Sequence, residues 1–298
     1  MPGLTRFHFR GGTAVLTGAA SGMGEEMAYG LAARGCGLVL LDRDAERLAA
    51  VADTIRQRHA YLPLETHVID LSDLDHLDRL TEQILADHPR ITLLINNAGV
   101  AMGGTFEQVS AEEFDWVMRI NFQAPLHLTR RLLPRLRRSP GSHIVNISSL
   151  FGLIAPPGHV PYTVSKFALR GLSDGLRHEL AGHIGVTTVH PGGVRTRIAE
   201  DARTAVGVGE SQARNGRADF NRLLTYPADR AAERILTGVE KRQPRVVIAL
   251  NAIIPDLVAR IFPVTYWSKI SRLSGSSRHV THRSEADLVP TTSGSDKS

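Results

Sequence analysis

Short runs of apolar residues recur along the chain, and stretches with helical periodicity separate them. The runs predict seven strands, at residues 13–17, 37–41, 67–70, 91–95, 142–148, 186–189 and 245–250. Runs this apolar are typical of strands that are buried on both faces, as in parallel sheets with helices on each side. Because parallel strands need right-handed crossovers, the pattern predicts an α/β, doubly wound fold with a seven-stranded parallel sheet.

The stretches between the apolar runs predict helices. These lie at residues 23–34, 44–58, 73–87, 111–137, 162–181 and 227–242. Residues 198–225 have no strong periodicity and are rich in Gly, Arg and Asn, so we interpret them as a mobile flap over the site.

The C-terminal part of the sequence differs from the rest. Residues 253–273 form an apolar segment with two prolines, which indicates one or two short helices. Residues 275–298 are rich in Ser, Thr and Gly, and this composition predicts a disordered tail. We therefore expect one domain over residues 1–274, with a core at 10–250 and a C-terminal helical extension at 251–274.

Composition narrows the class of protein. The chain has 298 residues, a formal net charge of +5 and one cysteine, Cys36, whose apolar neighbours indicate a buried side chain. The N-terminal stretch lacks the apolar segment of a secretory signal, and no run reaches the roughly 18 apolar residues of a membrane-spanning helix. We expect a cytoplasmic protein. No basic face is visible in the sequence, so we expect no nucleic-acid partner.

A glycine-rich turn joins the first strand to its helix, with the sequence Thr17-Gly-Ala-Ala-Ser-Gly-Met-Gly24. Glycines let the backbone approach a pyrophosphate closely, and the helix N-terminus offers unpaired N–H groups to that anion. The spacing G-x-x-x-G-x-G differs from the commoner G-x-G-x-x-G. Its position after the first strand favours a dinucleotide site.

Asp42 ends the second strand, where a carboxylate can accept both hydroxyls of an adenosine ribose. It would repel a 2′-phosphate and therefore favours NAD. The adjacent Arg43 argues for NADP, because an arginine can bind that phosphate. The alternative role of Asp42 is that of an acid at a helix N-terminus.

Tyr162 and Lys166 lie four residues apart on one face of a predicted helix. A nearby cation favours the phenolate and lowers the phenol pKa from its usual value near 10, so the pair is typical of proton transfer. Ser149 ends the fifth strand and could hydrogen-bond a substrate oxygen, with Ser148 as the competing choice. Asn121 lies in a helical region although Asn is a mediocre helix former, which favours a polar role.

Two further segments follow strands. Asn96–Gly99 ends the fourth strand, and its small residues would let an adenosine pass over the sheet edge. Pro191–Thr196 follows the sixth strand, where backbone groups and a hydroxyl could hold a nicotinamide carboxamide.

Together these motifs resemble the short-chain dehydrogenase/reductase family over residues 10–250. The turn matches its TGxxxGxG, Asn96–Gly99 its NNAG, and Pro191 to Thr196 its PG…T segment. Asp70 matches the acid that contacts adenine in this family. Its catalytic tetrad, which includes YxxxK, is matched by Asn121, Ser149, Tyr162 and Lys166.

The resemblance implies a Rossmann fold and a role for each residue of the tetrad. Tyr162 is expected to be the general acid/base, and Lys166 to lower its pKa and bond the nicotinamide ribose. Ser149 would polarise the substrate oxygen, and Asn121 would hold a water that relays protons. The cofactor would contact Gly18, Ser21, Gly22, Met23, Gly24, Asp42, Arg43, Asp70, Leu71, Asn97, Ala98, Gly99, Tyr162, Lys166, Pro191, Gly192, Val194 and Thr196. No metal is implied.

The expected activity is hydride transfer between NAD(H) and a hydrophobic secondary alcohol or ketone. The alternatives are an NADPH-dependent carbonyl reductase of the same fold and a non-catalytic cofactor-binding scaffold. The resemblance also leads us to expect a homodimer built on the helices at 111–137 and 162–181.

Residues 241–283 carry eight Lys or Arg and one acid, Asp256, among large apolar side chains. Such a segment could contact a membrane surface peripherally, or it could pack on the core and cover an apolar substrate pocket. We favour the second interpretation, because apolar residues in a globular chain usually pack.

Overall fold

The computed structural model describes residues 3–273 except Ala199, together with the side chains of these residues other than Asp219, Phe220 and Leu273. The predicted tail at 275–298 lies outside the described residues.

The main sheet has seven parallel strands and confirms the predicted fold class. They are β1 (Thr13–Thr17), β2 (Gly37–Asp42), β3 (Leu64–Val68), β4 (Ile91–Asn96), β6 (His143–Ile147), β7 (Gly185–Pro191) and β9 (Arg245–Ile248). Their order is β3-β2-β1-β4-β6-β7-β9, so the chain winds outward from β1 in both directions. The order therefore reverses between β1 and β4, and at such a point the loops after two neighbouring strands part to leave a crevice.

Ten helices surround the sheet in the described part of the chain. They are α1 (Gly22–Ala33), α2 (Ala45–Arg58), α3 (Leu74–Asp87), α4 (Ala111–Met118), α5 (Ala124–Arg138), α6 (Val160–Glu179), α7 (Glu210–Leu223), α8 (Ala228–Glu240), α9 (Leu250–Ile261) and α10 (Tyr266–Leu273). None is long and apolar enough to cross a membrane.

Alternate residues of each central strand point to opposite faces of the sheet and fill two separate cores. Leu16 of β1 packs in the core under α1, α2 and α8. Its neighbour Val15 packs in the core under α3 and α5. Both side chains are fully buried, and burial of such a residue contributes about 1.5–3 kcal/mol. The continuous apolar runs of the sequence arise because both faces of these strands are covered. Cys36 is buried, as predicted.

The predicted third strand was displaced. We expected it at 67–70, and β3 spans Leu64–Val68. This strand lies at the edge of the sheet and is only half-buried, so it carries polar residues such as Glu65 and lacks the apolar run that marks the central strands.

The predicted continuous helix at 111–137 is interrupted. A turn of π-helix at Arg119–Gln123 separates α4 from α5 and contains Asn121. Such turns are frequently found at functional sites.

Residues 198–225, which we interpreted as a mobile flap, contain regular structure that their weak periodicity did not predict. They include β8 (Arg203–Thr204) and the whole of α7. β8 pairs in parallel with β5 (Met102–Gly103), which attaches the segment to the loop that follows β4.

The expectation that the apolar C-terminal residues pack on the core was wrong for most of them. The extension forms two helices, as predicted, but it starts at Leu250 rather than near 253. Large side chains along α9, among them Ile254, Leu257 and Ile261, are exposed. The apolar stripe of α9 therefore faces outward.

Candidate active site

The carboxyl ends of β1, β2, β4, β6 and β7 border one continuous cleft of about 1630 Å³, including its open mouth. Parallel strands bring their carboxyl ends to the same edge, so residues far apart in sequence meet there. The glycine turn, Asp42, Asn97, Ser149, Tyr162 and Pro191 all line this cleft.

The glycine turn is closely packed against the loop after β4. Gly18 has φ +67°, and a Cβ on it would lie 2.8 Å from the Cα of Ala98. A Cβ on Gly24 would lie 1.8 Å from the carbonyl oxygen of Gly18. Only glycine fits at these two positions, which explains the motif in terms of backbone contact.

Side-chain hydrogen bonds fix the same turn from the other side. The amide of Asn97 donates to the carbonyls of Thr17 and Gly18, both at 3.0 Å. The Thr17 hydroxyl accepts from the backbone N–H groups of Asn97 and Ala98. Ser21 is the N-cap residue of α1, and no side chain in the described part of the chain makes a capping hydrogen bond there. The first N–H groups of α1 therefore remain available to an anion.

Asp42 lies at the edge of the cleft, at the end of β2. Its carboxylate accepts from the backbone N–H groups of Ala20, at 2.9 Å, and Asp44, at 3.0 Å. These bonds orient the carboxylate and leave it further lone pairs for two hydroxyls. Arg43, which is exposed, lines the same end of the cleft with Asp70 and Leu71.

Tyr162 and Ser149 both line the centre of the cleft. Burial raises the pKa of the Tyr162 phenol, and the Ser149 hydroxyl lowers it. The ring packs edge-on against Phe151, with ring centroids 5.8 Å apart. α6 begins at Val160, so Tyr162 lies in its first turn, beside the end of β6.

Lys166 lies one turn further along α6 and is buried. Its Nζ donates to the carbonyl of Ile147 at 3.0 Å and lies 5.6 Å from the centre of the Tyr162 ring. Burial lowers the pKa of Lys166 to about 8. The ammonium group is thus desolvated behind the phenol.

Ser148 and Ser149 both line the cleft but differ in their hydrogen bonds. The Ser148 hydroxyl is buried and donates to the backbone carbonyl of Lys166 at 2.9 Å. It therefore connects β6 to α6. The Ser149 backbone carbonyl bonds Nδ1 of His190, a ring that burial keeps neutral by lowering its pKa to about 4.

Asn121 lies behind the cleft rather than in its wall. Its Oδ1 accepts from the N–H of Val100 at 2.8 Å, and its Nδ2 donates to the Val100 carbonyl and to Ser165 Oγ. The side chain is completely buried. These bonds fix the chain after Gly99 against α6, so the side chain positions this wall of the cleft.

A second cavity, of about 830 Å³ with its open mouth, adjoins the cleft. Its walls come from three segments: the chain around β5, residues 151–159, and the chain from Ala202 to Arg217. Tyr162 and Phe151 belong to the walls of both cavities.

Comparisons with known proteins show the family of this chain. A family model described as short chain dehydrogenase matches residues 12–207. A Mycobacterium tuberculosis protein named "Putative oxidoreductase SadH" is 36% identical over 262 residues, which are 87% of this chain and 93% of that protein. This chain belongs to the short-chain dehydrogenase/reductase family.

Solved members of the family share the fold. A short-chain dehydrogenase/reductase from Burkholderia phymatum, in complex with NAD, is 28% identical with a TM-score of 0.77, over 85% of this chain and 94% of that one. A short-chain dehydrogenase from Sphingobium yanoikuyae, in complex with NADPH, is 29% identical with a TM-score of 0.70, over 92% and 99%. The family uses both dinucleotides.

The cleft of this short-chain dehydrogenase/reductase fits such a dinucleotide. A Cβ on Gly99 would lie 3.1 Å from Nζ of Lys166. The missing side chain at Gly99 therefore leaves the backbone open to a ligand next to the lysine. The open α1 N-terminus suits the pyrophosphate, and the oriented Asp42 suits a ribose. When bound, the nicotinamide supplies or accepts the hydride.

Most of the predicted cofactor residues line the cleft together. Gly22 and Gly24 do not: they act through packing, and a Cβ on Gly22 would lie 2.9 Å from the side chain of Thr196.

The sequence interpretation of this short-chain dehydrogenase/reductase placed residues 198–225 and the C-terminal segment over the site, but it named no site residue in either of them. Asn251 of α9 and Leu223 of α7 line the cleft, and Asn251 accepts from the N–H of Gly193 at 3.3 Å. No local motif marks either residue; only the fold brings them to Pro191–Val194.

Proposed function

We propose that this protein is an NAD-dependent oxidoreductase that transfers a hydride between NAD(H) and a secondary alcohol or ketone. One observation carries this proposal: Tyr162 belongs to the walls of both cavities. A phenol there can exchange a proton with a substrate oxygen in the second cavity while the adjacent carbon faces the cofactor cleft.

Proton transfer requires the Tyr162 pKa to approach neutral pH. Burial acts against this, because it disfavours the phenolate. The Ser149 hydroxyl favours the phenolate and so lowers the pKa of Tyr162. We propose that the ammonium of Lys166 does the same when the substrate is bound. We assign Asn121 a positioning role, because its amide is engaged with Val100 and Ser165.

We propose NAD as the preferred dinucleotide. The Asp42 carboxylate is held by two backbone N–H groups with lone pairs left for ribose hydroxyls, and a 2′-phosphate would lie against its charge. Arg43 supports the second candidate, an NADPH-dependent reductase, since it lines the same end of the cleft.

We propose a substrate with an apolar body. Side chains of Ala101, Met102, Phe151 and Val208 contribute to the second cavity. Next to them lies His159, whose pKa is lowered by burial, which favours the neutral ring. A hydrophobic alcohol or ketone is a better fit to this apolar lining than a sugar.

Tyr162→Phe tests the proposal. The substitution removes the exchanging proton and keeps the ring, so turnover of a panel of secondary alcohols and ketones should fall by roughly 10²–10⁴-fold. Binding of NADH, followed by fluorescence, should persist. The matched control is Tyr61→Phe, which removes a phenol hydroxyl from a fully exposed side chain. A panel with no Tyr162-dependent turnover would instead support the cofactor-binding scaffold.

The expected homodimer stays a prediction. The exposed apolar side chains of Val164 and Phe167 on α6 are consistent with a contact on that helix.

A further inference from the structure

Exposed large apolar side chains are concentrated in one short part of the chain. Half of those in the described residues lie within 250–264, and we call them the C-terminal apolar surface. It consists of Leu250, Ile253, Ile254, Leu257, Ile261, Phe262 and Val264, whose side chains are 41–89% exposed. A contiguous patch of this kind marks an interaction site more often than scattered apolar residues do.

α9 is oriented opposite to an ordinary amphipathic helix. Its apolar residues at 250, 253, 254, 257 and 261 share one face, and that face is exposed. The opposite face is attached to the protein by the buried Ala252 and by Asp256, whose carboxylate binds Arg245 at 2.7 Å. The ion pair holds α9 against the end of the sheet with its stripe outward.

Cations accompany this surface. Arg260 and Arg272 are exposed, and Nζ of Lys269 lies 4.2 Å from the centre of the Phe262 ring. The acid of α9, Asp256, is bound by Arg245 and Arg260 and is 15% exposed. The sequence from 257 to 284 carries five Lys or Arg and no Asp or Glu. The complementary partner is therefore anionic as well as apolar.

A second copy of this chain does not meet that description. A twofold contact through this surface would bring the same cations of both copies together and repel them. An apolar stripe bordered by Lys and Arg instead matches the boundary between headgroups and acyl chains of an anionic bilayer.

The surface also lies beside the mouth of the active site. Asn251, in the first turn of α9, lines the cofactor cleft, as does the exposed Leu223. The Tyr266 hydroxyl of α10 accepts from the N–H of Ala155, in the chain that follows Ser149. A bilayer on this surface would therefore meet the entrance of the cleft.

We propose that the C-terminal apolar surface docks peripherally on an anionic phospholipid bilayer. Leu257 and its neighbours enter the boundary of the acyl chains, while Arg260, Lys269 and Arg272 contact lipid phosphates. This docking is independent of the proposed chemistry.

The test is flotation of the full-length protein with vesicles of phosphatidylcholine, with or without phosphatidylglycerol. We expect binding to the anionic vesicles that weakens as salt is raised. Ile254→Asp and Leu257→Asp should each lower the partition coefficient by about 10-fold or more, since burial of such a side chain is lost and a charge is added. Arg272→Gln should lower it about 5-fold, the share of one cation near such a surface.

Tyr61→Asp is the matched control, because it adds the same charge at a fully exposed aromatic residue outside this surface. It should bind vesicles like the unchanged protein. Ile254→Ser provides a milder variant without a new charge, and retained NADH binding shows that each variant is folded. No flotation of the unchanged protein with anionic vesicles at low salt would overturn the proposal. So would equal losses in Tyr61→Asp and Leu257→Asp, or a dimer in solution that Leu257→Asp dissociates.

Discussion

The glycine turn at 18–24 and the segment at 198–273 border the same cleft, but they are built by different means. In the turn, backbone packs on backbone: Gly18 and Gly24 leave no room for a methyl group. In the later segment, the exposed helices α7 and α9 contribute Leu223 and Asn251 to the wall, and Leu223 lines the cleft while 57% exposed. The glycine turn, which is the cofactor side of the cleft, is therefore rigid. The segment at 198–273, which is the substrate side, leaves side chains exposed for contacts with other molecules.

The largest effect on stability is expected from Gly24→Ala. The added methyl would lie 1.8 Å from the Gly18 carbonyl oxygen, and that carbonyl also accepts from Asn97, so it cannot move away freely. We expect a loss of about 3 kcal/mol in the free energy of unfolding, at the upper end for overpacking. NADH affinity should fall together with it, as measured by urea denaturation and fluorescence titration.

The control is Gly175→Ala in α6. A Cβ on Gly175 would meet no heavy atom within 4 Å, so the substitution adds a better helix former without a clash. It should raise the free energy of unfolding by up to about 1 kcal/mol. Similar losses in both variants would contradict the tight backbone packing that we assign to the turn.

Lys166→Met tests the residue behind Tyr162, where the cofactor cleft and the second cavity adjoin. Burial lowers the Lys166 pKa from 10.5 to about 8. Between pH 8 and 10.5 the unfolded chain then binds the extra proton, and the stability of the unchanged protein should rise with pH in this window. At pH 7 the buried charge destabilises the folded protein. The free energy of unfolding of the variant should therefore be about 1–3 kcal/mol higher, while its turnover is lost.

Urea denaturation at pH 7 and at pH 9.5 measures both effects. The gain from Lys166→Met should shrink at the higher pH, where the folded protein already holds a neutral amine. A variant that is less stable than the unchanged protein at pH 7 would show that the bond to Ile147 outweighs desolvation.

The sequence predicted the parts that depend on local backbone chemistry. The central strands are covered on both faces, so continuous apolar runs such as Leu38–Leu41 located them. The glycine turn and the Tyr162–Lys166 spacing are short-range motifs, and their residues meet in the cleft.

The sequence could not predict the parts that depend on tertiary contacts. β3 is an edge strand and needs no apolar run. α7 is mostly exposed, so its residues show no clear period of buried positions. α9 follows the usual helical period, but the face that carries Asp256 packs on the protein and the apolar face is exposed. The hydrophobic pattern predicts that α9 is a helix, but tertiary contacts determine which face of α9 is exposed.

Asp42→Ala should change the preference between dinucleotides. Without the carboxylate, the ribose loses its hydrogen bonds and a 2′-phosphate loses a repulsive neighbour. We expect the ratio of kcat/KM for NAD to that for NADP to fall about 10-fold or more, in line with about 1.5–3 kcal/mol for a hydrogen bond to a charged group. Initial rates with the two cofactors measure the ratio.

Asp44→Ala is the matched control for Asp42→Ala. Asp44 caps α2 by accepting from the N–H of Arg47, so its loss should lower stability by about 1 kcal/mol and leave the cofactor ratio unchanged. An unchanged ratio in Asp42→Ala would leave Arg43 as the dominant group and favour NADP.

The smallest effect is expected from Gly103→Val, which addresses the substrate side alone. Gly103 lies in β5 and lines the second cavity, and a Cβ there would meet no atom within 4 Å. A valine is favoured in a strand and would project into open space, so the fold should tolerate it. Because the three added carbon atoms make the cavity smaller, the KM for a bulky ketone should rise about 10-fold, the lower end of the effect of one methylene in a pocket. The affinity for NADH should stay constant, since Phe151 and Tyr162 are the only described residues that the walls of the two cavities share. Equal losses of ketone and NADH binding would mean that the sides of the cleft are mechanically coupled, and the contrast between a rigid cofactor side and an adaptable substrate side would fail.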